Sequence, residues 1–141
     1  MQITKYPQSC LKIEREGRAI IFDIGSFATA KYSIADFGKL DAVIYTHRHL
    51  DHLDLSVIDE LHENGVSIYG NADVAEAIDK DFVEIVEEDE ELVVAGFKIQ
   101  SRHMEHCLLV DGTRTVQNTG FVIEDKLLVP GDCVDPGKLK V

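Results

Sequence analysis

The sequence predicts a mixed fold, α+β in class, with helices and sheets stacked in layers. Short β-prone runs recur along the chain, several are joined by tight turns that suit antiparallel hairpins, and two helix-period stripes interrupt them between residues 53 and 79. No internal repeat, low-complexity tract or linker divides the chain. Its 141 residues, 45% of them hydrophobic, suit a single domain, 1–141, with a real core.

Residues 3–6, 9–14 and 19–23 read as the first strands, with Glu16-Gly17 as a tight turn between the second and third. Asp23-Ile24-Gly25-Ser26 breaks the pattern as a loop. Residues 39–45, KLDAVIY, contain the unbroken apolar run AVIY, as a strand covered on both faces would. A helix follows, because Leu53, Leu55, Val57, Ile58 and Leu61 form one stripe. Asp54 or a near neighbour is its N-cap, and Asn64-Gly65 stops it. Residues 66–69 return to strand, and Asn71 caps a second helix over 72–79 with Val74, Ala75 and Ile78 facing inward. Residues 82–86, 92–94 and 97–102 are strands, the last two joined at Ala95-Gly96. A hairpin of 119–124 and 126–129 turns at Glu124-Asp125-Lys126, and Pro130-Gly131-Asp132 closes it. Residues 138–141 read as a strand beginning rather than a natural end.

The formal charge is −12, from 26 acidic against 14 basic residues. With no local basic patch, such a chain repels a phosphate backbone, so nucleic acid is not an expected partner. The densest run, EIVEEDEE at 84–91, reads as a solvated face and turn. A small anionic substrate stays open, because a metal centre supplies positive charge locally. No segment approaches the ~18 consecutive apolar residues of a membrane span. The opening MQITKYPQSC lacks the basic start and apolar run of a signal peptide, so the cytoplasm is the expected location. Cys10, Cys107 and Cys133 are too few and too scattered for a disulfide framework, which agrees with a reducing compartment. Each reads as a small buried residue. Cys107 and Cys133 each follow a candidate metal ligand, which leaves oxidation or capture of a wrong metal open there.

The densest chemistry is THRHLDHLD at 46–54. His47 and His49 are two apart, so both imidazoles project to one side if the strand end stays extended. Asp51 and His52 follow where the chain curls into the next helix, and the four side chains can converge at the edge of a sheet. One histidine in a turn would mean little. Three with an aspartate, placed after a buried strand and before a helix, point to a metal site. Imidazole and carboxylate suit Zn²⁺ or a similar ion such as Mn²⁺ or Fe²⁺, and two ions ~3.5–4 Å apart would polarise a substrate and ionise a bridging water. Asp54 reads only as a helix cap.

The order His47-Arg48-His49-Leu50-Asp51-His52 resembles the signature of the metallo-β-lactamase fold superfamily. Ser9-Cys10-Leu11-Lys12-Ile13 and Ile20-Ile21-Phe22-Asp23-Ile24-Gly25 resemble its opening hairpin and D-x-G loop. Glu105-His106-Cys107, Asn118-Thr119-Gly120 and Val129-Pro130-Gly131-Asp132 follow the order of its later motifs. The wording is closest to stand-alone bacterial hydrolases related to ascorbate-phosphate lactonases and to the N-acylphosphatidylethanolamine phospholipase D type. The resemblance implies a four-layer αββα fold. It implies one metal ion held by His47, His49 and His106, a second held by Asp51 and His52, and Asp132 bridging the two. Asp51 would also orient the nucleophilic water, and Asp23 would support the ligands from behind. His103 competes with His106, but His106 has the family-like spacing to Asn118. His62, on the helix after the cluster, reads as an ordinary histidine.

The chain departs from the pattern in two places. Gln8 stands where the family usually has a histidine, which alters the rim of the site and removes no ligand. The family's last ligand is a histidine well beyond the Gly-Asp turn, and this chain ends nine residues after Asp132 without one. The second half of the fold is therefore expected to be incomplete, with an exposed edge and apolar face that a second copy covers in a homo-oligomer, or with weak metal binding. The implied activity is that of a metal-dependent hydrolase, in which a metal-bound hydroxide cleaves an ester, lactone or phosphodiester of a small substrate. The acidic surface disfavours an RNA-processing nuclease, and the missing signal disfavours a secreted β-lactamase. The alternative is an inactive metal-binding or oligomerising module.

Overall fold

Two sheets meet face to face in the computed structural model, which describes residues 1–108, 116–135 and 137. The first sheet runs β1 (Gln2–Lys5), β2 (Leu11–Arg15), β3 (Arg18–Phe22), β4 (Ala42–Tyr45), β5 (Ser67–Gly70) and β6 (Val83–Ile85), neighbours in sequence being neighbours in space. Its first three strands are antiparallel, and from β3 onward every pairing is parallel. Each parallel step needs a crossover. Helix α1 (Ser26–Thr29) and a 3-10 turn at Ile34–Phe37 make the first. A 3-10 turn at Leu55–Val57 running into α2 (Ile58–Glu63) makes the second, and α3 (Ala72–Ile78) the third. The second sheet is an antiparallel meander of β7 (Glu91–Val94), β8 (Phe97–His103), β9 (Thr119–Ile123) and β10 (Leu127–Val129).

The AVIY run is apolar throughout because β4 serves two cores. Val43 and Tyr45, with Ala19 and Ile21 of β3, face the helices and pack on Leu53, Ile58, Leu61 and Val74. Ala42 and Ile44, with Ile20 and Phe22, face the second sheet and pack on Phe97, Ile99, Phe121 and Ile123. Burying each large apolar side chain stabilises the fold by ~1.5–3 kcal/mol, so both faces of β4 are held strongly. The described residues thus form three layers of the expected four: helices, sheet and sheet. The strand expected at 138–141 lies outside the described residues.

The expected turns form with paired positive φ at Glu16-Gly17, Ala95-Gly96 and Glu124-Asp125, the geometry that matches hairpin twist. Asp54 caps as expected, its side chain accepting from the Ser56 N–H. The first stripe splits into a 3-10 turn and a short helix rather than one continuous helix. Helix α1 and the turn at Ile34–Phe37 were not expected, because four residues span barely one turn and cannot display a period.

Asn71 joins the sheets as well as capping α3. Its side-chain oxygen accepts from the Val74 N–H at 3.0 Å, while its amide donates to the carbonyls of Thr46 and Gln117 and to the Thr119 hydroxyl, each at 3.1 Å. The Thr119 N–H crosses to the Thr46 carbonyl at 2.9 Å. Asn71→Ala removes the cap and leaves several buried groups without partners, and should lower stability by ~2–4 kcal/mol in urea denaturation. A loss of only the ~1 kcal/mol of an ordinary cap would show that the bridge between sheets carries nothing.

Candidate metal centre

The centre forms where β3, β4, β8 and β10 end and β9 begins. Just past β3, Asp23 is fully buried with φ of 52°, and its carboxylate collects three donors. Thr46 N–H donates to one oxygen at 2.8 Å; the Thr46 hydroxyl and His52 Nδ1 reach the other, each at 2.8 Å. Because the Thr46 hydroxyl donates to Asp23, its oxygen is left to accept from His47 Nδ1, 3.0 Å away. In the loop past the end of β8, His106 Nδ1 lies 2.7 Å from the Cys107 carbonyl, which can only accept. Three imidazoles are therefore anchored through Nδ1 and turn Nε2 toward one space.

That space is crowded with donor atoms. His47 Nε2 and His106 Nε2 are buried and have no hydrogen-bond partner among the described residues. Asp132 faces both, its Oδ2 lying 3.8 Å from His47 Nε2 and 3.5 Å from His106 Nε2, while its Oδ1 is 3.0 Å from His52 Nε2. The His47 ring sits 4.9 Å from His49, 4.0 Å from His52 and 4.9 Å from His106. Two groups of potential ligand atoms result, each with its atoms within 4.8 Å of one another: His47, His49, His106 and Asp132, and Asp51, His52 and Asp132. Asp132 belongs to both. Buried Nε2 lone pairs without donors, on rings anchored from behind through Nδ1, fit a divalent cation.

The electrostatics make the same demand. Burial, reinforced by the charge of His52, pushes His47 down to about 3, and burial also lowers His49. Burial acts to lower His52 too, but hydrogen bonds to Asp132 and Asp23 outweigh it and lift the ring to about 10. The His52 hydrogen bond in turn holds Asp132 at about 2. Burial raises Asp23, offset in part by His52 and Thr46. Positive charge is strongly favoured between the two carboxylates, and a divalent ion satisfies that better than a proton on one ring.

All six residues singled out in the sequence, His47, His49, Asp51, His52, His106 and Asp132, come together here. Asp51 is 32% exposed, at the mouth, and its Oδ2 accepts from Gln8 Nε2 at 3.0 Å. His103 points away and pairs with Glu88 at 2.7 Å, and His62 stacks on Phe82. Some supporting residues were not assigned their roles from sequence. Thr46 relays Asp23 to His47, and Gln8 steadies Asp51. Asn118 donates to the carbonyls of Met104 and Pro130 and accepts from Asp132 N–H at 3.2 Å, which sets the turn that aims Asp132. A buried hydroxyl or amide at a strand end is the signal that could have found Thr46 and Asn118.

The geometry agrees with the chain's likenesses. It is 25% identical over 141 residues to Protein Rv0786c of Mycobacterium tuberculosis (strain ATCC 25618 / H37Rv), covering 95% of this chain and 65% of that one. A protein of Parabacteroides distasonis designated a metal-dependent hydrolase superposes with a TM-score of 0.75 at 20% identity, over 93% of this chain and 60% of that one. CmlA, a diiron β-hydroxylase from Streptomyces venezuelae, superposes with a TM-score of 0.67 at 19% identity, over 95% of this chain and 30% of that one. The chain thus spans about two thirds or less of the length of these proteins. Residues 22–136 match the beta-lactamase superfamily domain. With its two sheets and its cluster of histidines and aspartates, the chain belongs to that family and has the metallo-β-lactamase fold.

Proposed function

We propose that this chain is a metal-dependent hydrolase that cleaves an ester, lactone or phosphodiester bond in a small substrate, anionic substrates included. The observation that carries this reading is the convergence of the unpartnered Nε2 atoms of His47 and His106 with His49 and Asp132. His47, His49 and His106 would hold one divalent ion, Asp51 and His52 a second, with Asp132 between them. Bound there, the ions would supply Lewis-acid polarisation of the scissile group and a water ionisable near neutral pH.

The remaining work falls to the chain itself. Asp23 keeps the His52 proton on Nδ1 directly and the His47 proton on Nδ1 through Thr46. Asp51, partly exposed and steadied by Gln8, is the side chain placed to accept a proton from an attacking water and to orient it. Imidazole and carboxylate donors favour zinc, while the likeness to a diiron hydroxylase makes iron the alternative. The motif wording supports a reading nearest the lactonase and phospholipase D-like hydrolases. Three free thiols agree with a cytoplasmic setting. No helix among the described residues is long and apolar enough to cross a membrane. Edge strand β7, with Val93 72% exposed, supports self-association.

Elemental analysis of the purified chain should find two ions per chain. His47→Ala and His49→Ala should each lose at least one and reduce metal-stimulated cleavage across an ester, lactone and phosphodiester panel by more than ~100-fold. If the chain binds Zn²⁺, Mn²⁺ or Fe²⁺ stoichiometrically yet cleaves nothing on the panel, the second reading, a metal-binding or oligomerising module, replaces the first.

A further inference from the structure

Two of the three cysteines, Cys107 and Cys133, line one cavity of about 190 Å³ beside the metal centre. The Cys107 N–H donates to the Asp132 carbonyl at 2.8 Å, and Cys133 is the next residue. Bond lengths and the planar trans peptide along that path keep the two α-carbons within about 7 Å, which overlaps the ~4.4–6.8 Å that a disulfide spans. Both thiols are half-buried and so within reach of a small oxidant. Among the described residues neither belongs to any group of three or more potential metal ligands, which argues against a soft-metal site. Cys10 is the contrast: fully buried, with burial pushing its thiol up to about 12, it is inert.

We propose that Cys107 and Cys133 form an oxidisable pair that closes to an intramolecular disulfide on exposure to a peroxide. One thiolate attacks a peroxide oxygen, forming an S–O bond as the O–O bond breaks and leaving a sulfenic acid. The second thiolate attacks that sulfur, the S–S bond forms as the S–O bond breaks, and water departs. With hydrogen peroxide, two thiols give up two electrons and two protons, and the oxidant leaves as two waters. The bond would tie the segment carrying His106 to the segment carrying Asp132, since each thiol directly follows one of them. This chemistry needs no metal and stands apart from the hydrolase reading.

The test treats the purified chain, held in chelator, with a few equivalents of hydrogen peroxide, then unfolds it in excess maleimide. Intact mass should show one adduct instead of three and a chain lighter by two hydrogens. Peptide mapping should find Cys107 joined to Cys133 and Cys10 labelled, and reductant should restore all three adducts. Cys107→Ser and Cys133→Ser should each abolish the link, and Cys10→Ser should leave it intact. Free labelling of both cysteines after oxidation, separate sulfinic or sulfonic acids, or links between chains would each overturn the proposal.

Discussion

An Asp23→Asn chain will fold yet bind divalent metal ~10–100-fold more weakly than its parent. The substitution keeps the shape of the side chain, and its remaining oxygen can still accept from the Thr46 N–H. The new amide group then faces the Thr46 hydroxyl and His52 Nδ1, both of which donate to Asp23 in the native arrangement. His52 can accept from the amide only by moving its proton from Nδ1 to Nε2, the atom that faces Asp132. An Nε2 that carries a proton has no lone pair for a metal. Rotation of the Thr46 hydroxyl would disturb His47 through the same relay. The mismatch should also lower stability by ~1–3 kcal/mol. Calorimetric titration with Zn²⁺ and Mn²⁺, paired with a denaturant midpoint, separates the two effects. Unchanged affinity would reduce Asp23 to packing.

Gly25→Ala adds one methyl group and should cost at least ~3 kcal/mol, the upper end for overpacking. A β-carbon at Gly25 would lie 1.9 Å from the Asp51 carbonyl oxygen, 2.1 Å from its carbon and 2.6 Å from the His52 nitrogen. These are backbone atoms and cannot swing aside. The two segments are also fastened on either side of the contact, Ser26 N–H to the Leu50 carbonyl at 2.9 Å and Asp54 N–H to the Ile24 carbonyl at 3.0 Å. The ligand loop must therefore shift as a whole or the hydrogen bonds must break. Asp51 and His52 move first, so the group of Asp51, His52 and Asp132 should fail before that of His47, His49 and His106. Metal stoichiometry falling from two to one, with a lower urea midpoint, is the expected result. A variant with parental midpoint and stoichiometry would show that the approach is looser than the structure has it.

Much of this was legible from the residues. Short β-prone runs and paired turn residues located every described strand, although β1 and β6 bury no side chain fully. The apolar run AVIY indicated two covered faces, and β4 has two cores. Four candidate ligands, His47, His49, Asp51 and His52, were legible because imidazoles and carboxylates crowd together in few other settings, and the family resemblance added His106 and Asp132. What the sequence did not disclose depends on contact between distant segments. Asn71 showed itself only as a helix cap, since nothing local signals that its amide spans to Gln117 and Thr119. Thr46 looked like one more strand-end residue until Asp23 and His47 stood on either side of its hydroxyl. Gln8 was legible only as a departure from a pattern, and its bond to Asp51 spans forty-three positions.

The single bond from Thr119 to Thr46 has a larger consequence than its length suggests. It crosses from one sheet to the other at the residue before His47, so docking of the sheets and convergence of the donors are one event. Four candidate ligands ride on the first sheet and two on the second. A fluctuation that parts the sheets at this end would dismantle the centre while leaving each ladder intact. An ion touching both halves resists that parting by mass action, by ~2.7 kcal/mol at a hundredfold excess over its Kd. With an ion bound, the centre would be a latch between the sheets, and the chain's lifetime in its closed state would follow the supply of metal around it.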